Sequence, residues 1–174
     1  MPRLRGPISS PPGLAYAPFG KQSVPNPRLK DVVEWMRKFA HQGKAAVRPL
    51  VEDICKDVAQ GDYASESLAI YHWVCKNIRY MRDVHDVEYL QQPSELLKTR
   101  AGDCDDISTL LAAMLMACGN QAAFTLMCFG PAPIPSHVFC SVVTPSGPVP
   151  LDPVANRQTA SMFRQSTHKL VVPV

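Results

Sequence analysis

The run Gly102-Asp103-Cys104-Asp105-Asp106 sets a thiol at the head of a long apolar stretch. If that stretch is a helix, the sulfur sits among unpaired backbone N–H groups at the positive end of the dipole. Those groups favour a thiolate and can hold a developing oxyanion. Gly102 would let the chain turn tightly and let a substrate approach. Asp103, Asp105 and Asp106 work against the thiolate, because like charge disfavours a second anion nearby. An imidazolium beside the sulfur would supply the missing stabilisation. His137, which opens the run Pro135-Ser136-His137-Val138-Phe139-Cys140, is the candidate, and Asp152 completes the set. A carboxylate that holds one ring nitrogen leaves the other to face the sulfur. The chemistry is acyl transfer: the thiolate attacks a carbonyl, and water or an amine releases the acyl group.

Other constellations are weaker. Cys55, Cys75, Cys118, Cys128 and Cys140 read as small buried hydrophobes. His41, His72, His85 and His168 have no comparable company. The three aspartates read as helix caps and dipole partners rather than as a cation site. A zinc centre on Cys104 and His137 lacks a fourth ligand of suitable spacing, and the His-x-Glu and Pro-Cys-x-x-Cys pairs of zinc deaminases are absent. No metal or cofactor is required by this chemistry.

The elements that must position these groups follow from periodicity. Ile107 to Ala117 leaves almost no polar face, so Asp105–Cys118 is expected to be a buried central helix closed by Gly119. Three helices are expected before it: residues 31–40 ended by Gly43, residues 45–59 with Pro49 near the start, and residues 65–78 with Leu68, Tyr71, His72 and Cys75 on one side. Residues 79–88 read as a charged loop, and Pro93 opens a short helical turn. Residues 122–129, 137–143 and 148–151 read as strands. If 144–147 form the hairpin loop, Val143 faces Pro148 and Asp152 faces Phe139. Asp152 then shares a face with His137 as its diagonal neighbour, roughly 7–8 Å away. A slip of one residue would put it on the opposite face. Helices first and strands last imply an α+β fold, with a small antiparallel sheet packed on the central helix. The segment after Pro153 gives no clear signal.

The 174 residues suit one domain, 29–174, preceded by a proline-rich arm, 1–28, that is extended or disordered. Residues 1–50 carry nine Lys/Arg against two acids, and residues 51–174 carry nine against thirteen. A basic arm on an acidic body could make weak contacts with phosphates or an acidic partner; nucleic-acid binding beyond that is not expected. Neither a signal-peptide core nor a membrane-length apolar run is present, so a cytoplasmic protein with reduced thiols is expected.

The Cys104 run, followed by Leu110-Leu111-Ala112-Ala113-Met114-Leu115 and Cys118-Gly119, closely resembles the signature of transglutaminase-like domains. His137-Val138-Phe139 and Leu151-Asp152-Pro153 add to it. Tyr80-Met81-Arg82-Asp83 and Leu90-Gln91-Gln92-Pro93 look like the small stand-alone members of phages and prophages. The resemblance covers about residues 45–155. It implies a papain-like core and a Cys-His-Asp triad on Cys104, His137 and Asp152. The substrate would be a peptide or protein amide, and phage structural proteins and association with the virion are the implied context. The extra domains and calcium sites of animal transglutaminases have no counterpart, so protein cross-linking is not implied. The second oxyanion donor is assigned to Gln92, with Asn77 and Tyr80 as alternatives. A non-catalytic assembly protein that keeps the fold is the rival reading, with the basic arm as its docking element.

Overall fold

The computed structural model describes residues 21–25, 29–82, 87–131, 135–155 and 159–174. Most of the expected arm, residues 1–20 and 26–28, lies outside them. Within the arm, Lys21–Pro25 forms β1, which pairs antiparallel with β3, Val87–Gln91.

Helix α1 runs unbroken from Leu29 to Ile54, so the two helices expected over 31–59 are one. Gly43 does not end it. The apolar stripe Val33, Met36, Ala40, Gly43, Val47, Val51 continues through that residue at helical spacing, and all six are buried. A Cβ on Gly43 would overlap the ring of Pro93, so the glycine is there for close approach of the segment that begins at that proline. Pro49 lies inside α1 on its exposed side, where the carbonyl it deprives of an N–H partner can turn to water.

Helix α2, Tyr63–Asn77, is capped by Asp62, whose side chain accepts from the Ser65 N–H. Its inner face is Glu66, Ser67, Ile70 and Val74. That corrects the expected stripe: Leu68 is half exposed and His72 points outward. The span read as loop holds strand residues at both ends. β2, Arg79–Tyr80, runs parallel to β4, Ala101–Gly102, and β3 ends the stretch. Residues 83–86 of that span lie outside the described residues. The short helix at Pro93 is α3, Pro93–Thr99, which stops at Arg100 in the left-handed region (φ 57°).

Helix α4, Cys104–Ala117, is the buried centre, enclosed by α1, α2, α3 and the sheet. All its residues from Asp105 to Leu115 are buried. Gly119, at φ 95°, follows its C-cap as expected. Four antiparallel strands form the sheet in the order β7-β6-β5-β8. These are β5, Ala122–Cys128; β6, Pro135–Thr144; β7, Gly147–Leu151; and β8, His168–Pro173. The alternation is clear on β6: Val138, Cys140 and Val142 belong to the core with α4, and Phe139 and Ser141 lie on the other face. Beyond Pro153, where the sequence is uninformative, the described residues hold α5, Thr159–Gln165, followed by β8. Edge strand β7 contains Pro148 and Pro150, tolerated where a missing N–H faces away from the sheet. Among the described residues no helix is long and apolar enough to cross a membrane. None of the six cysteines is in a disulfide.

Candidate active site

The first turn of α4 carries Cys104 and is held by its neighbours on both sides. Asp103 is the N-cap in extended backbone, and its side chain accepts from the Asp106 N–H. Asp106, only 1% exposed, accepts from the Gln91 backbone N–H at 2.6 Å and from Gln91 Nε2 at 2.7 Å. Gln91 Nε2 also donates to the Ala101 carbonyl, and Thr99 donates to Gln91 Oε1. This buried network binds β3, β4 and α4 together just beside the thiol. It also explains Gly102: a Cβ there would sit 2.5 Å from Asp106 Oδ2 and 2.7 Å from Asp106 Cβ. The space next to that glycine is filled by the Asp106 side chain, not left for a substrate.

The three carboxylates at the helix head each place an oxygen within 4.8 Å of the others. Hydrogen bonds within the turn engage Asp103 and Asp105, and bonds from β3 engage Asp106. Asp105 Oδ1 also accepts from the Asp106 N–H, and both Asp106 oxygens are held by Gln91. The capping role expected from sequence is therefore present.

His137 and Asp152 meet. Their side chains are hydrogen-bonded, His137 Nε2 to Asp152 Oδ2 at 2.8 Å, and the residues are only 8% and 2% exposed. The hairpin register brings this about as expected: Val143 pairs Pro148 and Cys140 pairs Leu151, so the next step sets Asp152 opposite Phe139. Thr144 and Gly147 themselves pair, so the turn proper is Pro145-Ser146, and Gly147 takes a φ of 114° that suits glycine. Sequence gave no sign of the irregularity at the other end of β6. Met127 pairs His137 while Cys128 pairs Pro135, so Ser136 is an extra residue in the ladder. Such a bulge re-aims the side chain beside it, here His137.

Asp152 is fully engaged. Its Oδ1 accepts the Val154 and Ala155 N–H groups at 3.1 and 3.0 Å, and its backbone carbonyl accepts from Tyr71 Oη at 3.3 Å. Tyr71 reaches across from α2 and also bonds Cys75. Burial, that bond, and the charges of Cys75 and Asp152 all push the phenol's pKa up. Because the carboxylate uses Nε2, Nδ1 is the ring nitrogen left for exchange with a thiol.

Cys104 itself is half-buried. Ser108, one turn along, donates to the Cys104 carbonyl and also lies 3.2 Å from the Val138 carbonyl, so the head of α4 is docked on the residue after His137. Burial raises the Tyr80 phenol's pKa, the charges of Cys104, Asp103 and Asp105 act in the same direction, and that of Arg82 opposes them. Gln92 is the N-cap of α3, and its side chain makes no cap bond. Asn77 is spent on the Trp73 carbonyl at 2.8 Å. Behind Asp152, between α5 and the outer face of the sheet, lies a cavity of about 550 Å³ lined by Phe139, Ser141, Asp152 and Phe163 among others. Neither Cys104 nor His137 lines it.

Comparison with curated proteins finds no match. Among solved structures, a candidate protease of Parabacteroides distasonis aligns at TM-score 0.55 with 14% identity, over 71% of this chain and 26% of its own. A candidate cysteine protease of Cytophaga hutchinsonii aligns at TM-score 0.48 with 17% identity, over 83% of this chain and 55% of its own. The chain thus spans about a quarter of the first and about half of the second. At that identity the first likeness speaks for the fold, the papain-like α+β arrangement of helices before a small antiparallel sheet. The profile of the transglutaminase-like superfamily matches residues 52–153, which takes in Cys104, His137 and Asp152. That match covers more than half of the 174 residues, and the chain belongs to the transglutaminase-like superfamily.

Proposed function

We propose that this protein is a cysteine-dependent amide or peptide hydrolase, able also to pass its acyl group to an amine. Cys104 would be its nucleophile, His137 its base and Asp152 the group that orients the histidine. The buried 2.8 Å pair of His137 and Asp152 carries this reading. An imidazole fixed through one nitrogen by a fully hydrogen-bonded carboxylate, on a strand docked to the thiol-bearing turn, suits proton exchange with a sulfur better than a packing role.

The steps balance on these groups. His137 takes the Cys104 proton, and the thiolate adds to the substrate carbonyl carbon. The resulting oxyanion is held by the N–H groups at the head of α4. The C–N bond breaks as the imidazolium gives its proton to the leaving amine, and a thioester remains. His137 then deprotonates water, the hydroxide adds to the thioester carbonyl, and the C–S bond breaks to regenerate the thiolate. An amine in place of the water gives transfer. Cys104 is not sealed from solvent, which favours hydrolysis. The Parabacteroides distasonis neighbour, described as a candidate protease, is in keeping with that.

The decisive experiment is labelling with iodoacetamide at pH 7, followed by peptide mapping. Cys104 is expected to react at least about 10-fold faster than any other cysteine. Burial raises the pKa of Cys75, Cys118 and Cys140, so these stay protonated and slow at neutral pH and gain reactivity only as pH rises well above it. Turnover of a peptide library, absent in Cys104→Ala, completes the test. Uniform slow labelling together with no turnover would leave only a structural or assembly role for the fold.

Two side chains compete as second oxyanion donor, Tyr80 through its phenol and Gln92 through its amide. Loss of one such donor lowers kcat by about 10²-fold. With turnover in hand, Tyr80→Phe and Gln92→Ala separate them: the variant with the drop in kcat identifies the donor. No drop in either leaves the oxyanion to backbone groups alone.

A further inference from the structure

We propose that Ser108 is a positioning residue that sets the Cys104 thiol in register with the His137 imidazole; this rests on the reading of Cys104 and His137 as partners. Ser108 is 1% exposed, so water cannot replace its bonds. Its single hydroxyl proton lies between two carbonyl oxygens, that of Cys104 at 2.5 Å and that of Val138 at 3.2 Å. The first carbonyl belongs to the nucleophile's own residue. The second belongs to the residue that follows His137. One hydroxyl therefore joins the two elements that must cooperate.

A serine hydroxyl inside a helix ordinarily bonds back to the carbonyl four residues earlier, with a slight bend of the helix as the result. Here that common bond is shared with a strand 30 residues away. The other interactions at the head of α4 do different work. Asp103 caps the turn, and Asp106 ties it to Gln91 on β3. Only the second reaches out of the helix, toward β3. Ser108 supplies the polar link toward β6, where His137 lies. The bulge at Ser136 leaves β6 out of regular ladder pairing with β5 just before that histidine. Pro135, His137 and Val138 still pair with β5 on either side of that irregularity, and the hydroxyl adds a bond from α4 to the strand there. Without it, Val138 and Cys104 keep their apolar packing while the imidazole and sulfur are free to drift by a fraction of an ångström, enough to weaken proton exchange.

The test compares Ser108→Ala, Ser108→Thr and the parent by the pH profile of Cys104 alkylation, with thermal unfolding as the control. Ser108→Ala is expected to react about 10-fold more slowly than the parent at pH 6–7 and to approach it near pH 9.5, where a thiol ionises without help. Ser108→Thr keeps the hydroxyl and is expected to recover most of the neutral-pH rate. If Ser108→Ala unfolds, the threonine variant against Ser108→Cys, a weak donor of similar size, carries the same comparison. A purely structural serine would lower the melting temperature and leave the shape of the pH profile unchanged; that result, or no rescue by threonine, overturns the proposal. A parent whose Cys104 reacts like an ordinary exposed thiol overturns the pairing of Cys104 with His137 as well. A reactive parent matched by Ser108→Ala overturns the role of Ser108 alone.

Discussion

Replacing His137 by alanine is expected to lower amide turnover by about 10³-fold and to slow Cys104 alkylation at pH 6 by about 10-fold or more. Two effects combine. In the proposed mechanism the variant loses the base that takes the thiol proton, and with it the cation that would offset Asp103, Asp105 and Asp106 around the helix head. An unaided thiol near its ordinary pKa is less than 1% ionised at pH 6, roughly a 10²-fold loss of thiolate. Higher intrinsic nucleophilicity of a more basic thiolate recovers part of that. The alkylation deficit should therefore be largest in acid and vanish above about pH 9, whereas the turnover deficit should persist at every pH, because protonation of the leaving amine is lost as well. The measurement is a pair of pH–rate profiles, alkylation and hydrolysis, for parent and variant. Superimposable alkylation profiles would remove His137 from the mechanism. The variant also leaves Asp152 Oδ2 buried without the imidazole, although the Val154 and Ala155 N–H groups still hold Oδ1. A modest fall in melting temperature should accompany the kinetic change.

The second large effect concerns stability. Asp106→Ala should destabilise the fold by about 2–4 kcal/mol, because it leaves two donors of Gln91 buried without their acceptor. For a chain of this length that corresponds to a melting temperature lower by about 5–15 °C. Asp106→Asn keeps the shape but turns an amide N–H₂ toward one of those donors, so an intermediate loss is expected. Thermal unfolding by circular dichroism decides it. A shift under about 2 °C for Asp106→Ala would mean that the network contributes far less than its burial implies. Cys104 alkylation should slow in parallel, since the same bonds fix the turn that carries the sulfur.

The centre of the molecule was legible because its signals are local and redundant. An apolar run with no polar face, acids at its head and a glycine at its tail can only be a buried capped helix, and α4 matches it to within a residue. The turn residues Pro145-Ser146-Gly147 fixed the hairpin, and the period-two rule then carried Asp152 to the face of His137. What went unread depends on distant partners. Gly43 looked like a stop because a glycine after an amphipathic stretch often is one. Only Pro93, fifty residues on, shows why a helix needs no side chain there. The inner face of α2 was misread because Glu66 is buried against expectation for a carboxylate, so the apolar count pointed to the wrong side. β8 went unread because an edge strand that pairs with β5 across some forty residues of chain has no local mark of its partner. The bulge at Ser136 and the reach of Tyr71 to Asp152 likewise exist only in three dimensions.

The prolines of β7 have a consequence for how the protein behaves in a crowded solution. A bare sheet margin invites strands of other molecules to zip on and template aggregates. On β7, two of the five residues have no N–H to offer such an intruder. The margin nearest the histidine–aspartate pair is thus protected from edge-to-edge association, and the segment that delivers the carboxylate cannot readily be recruited into a foreign sheet.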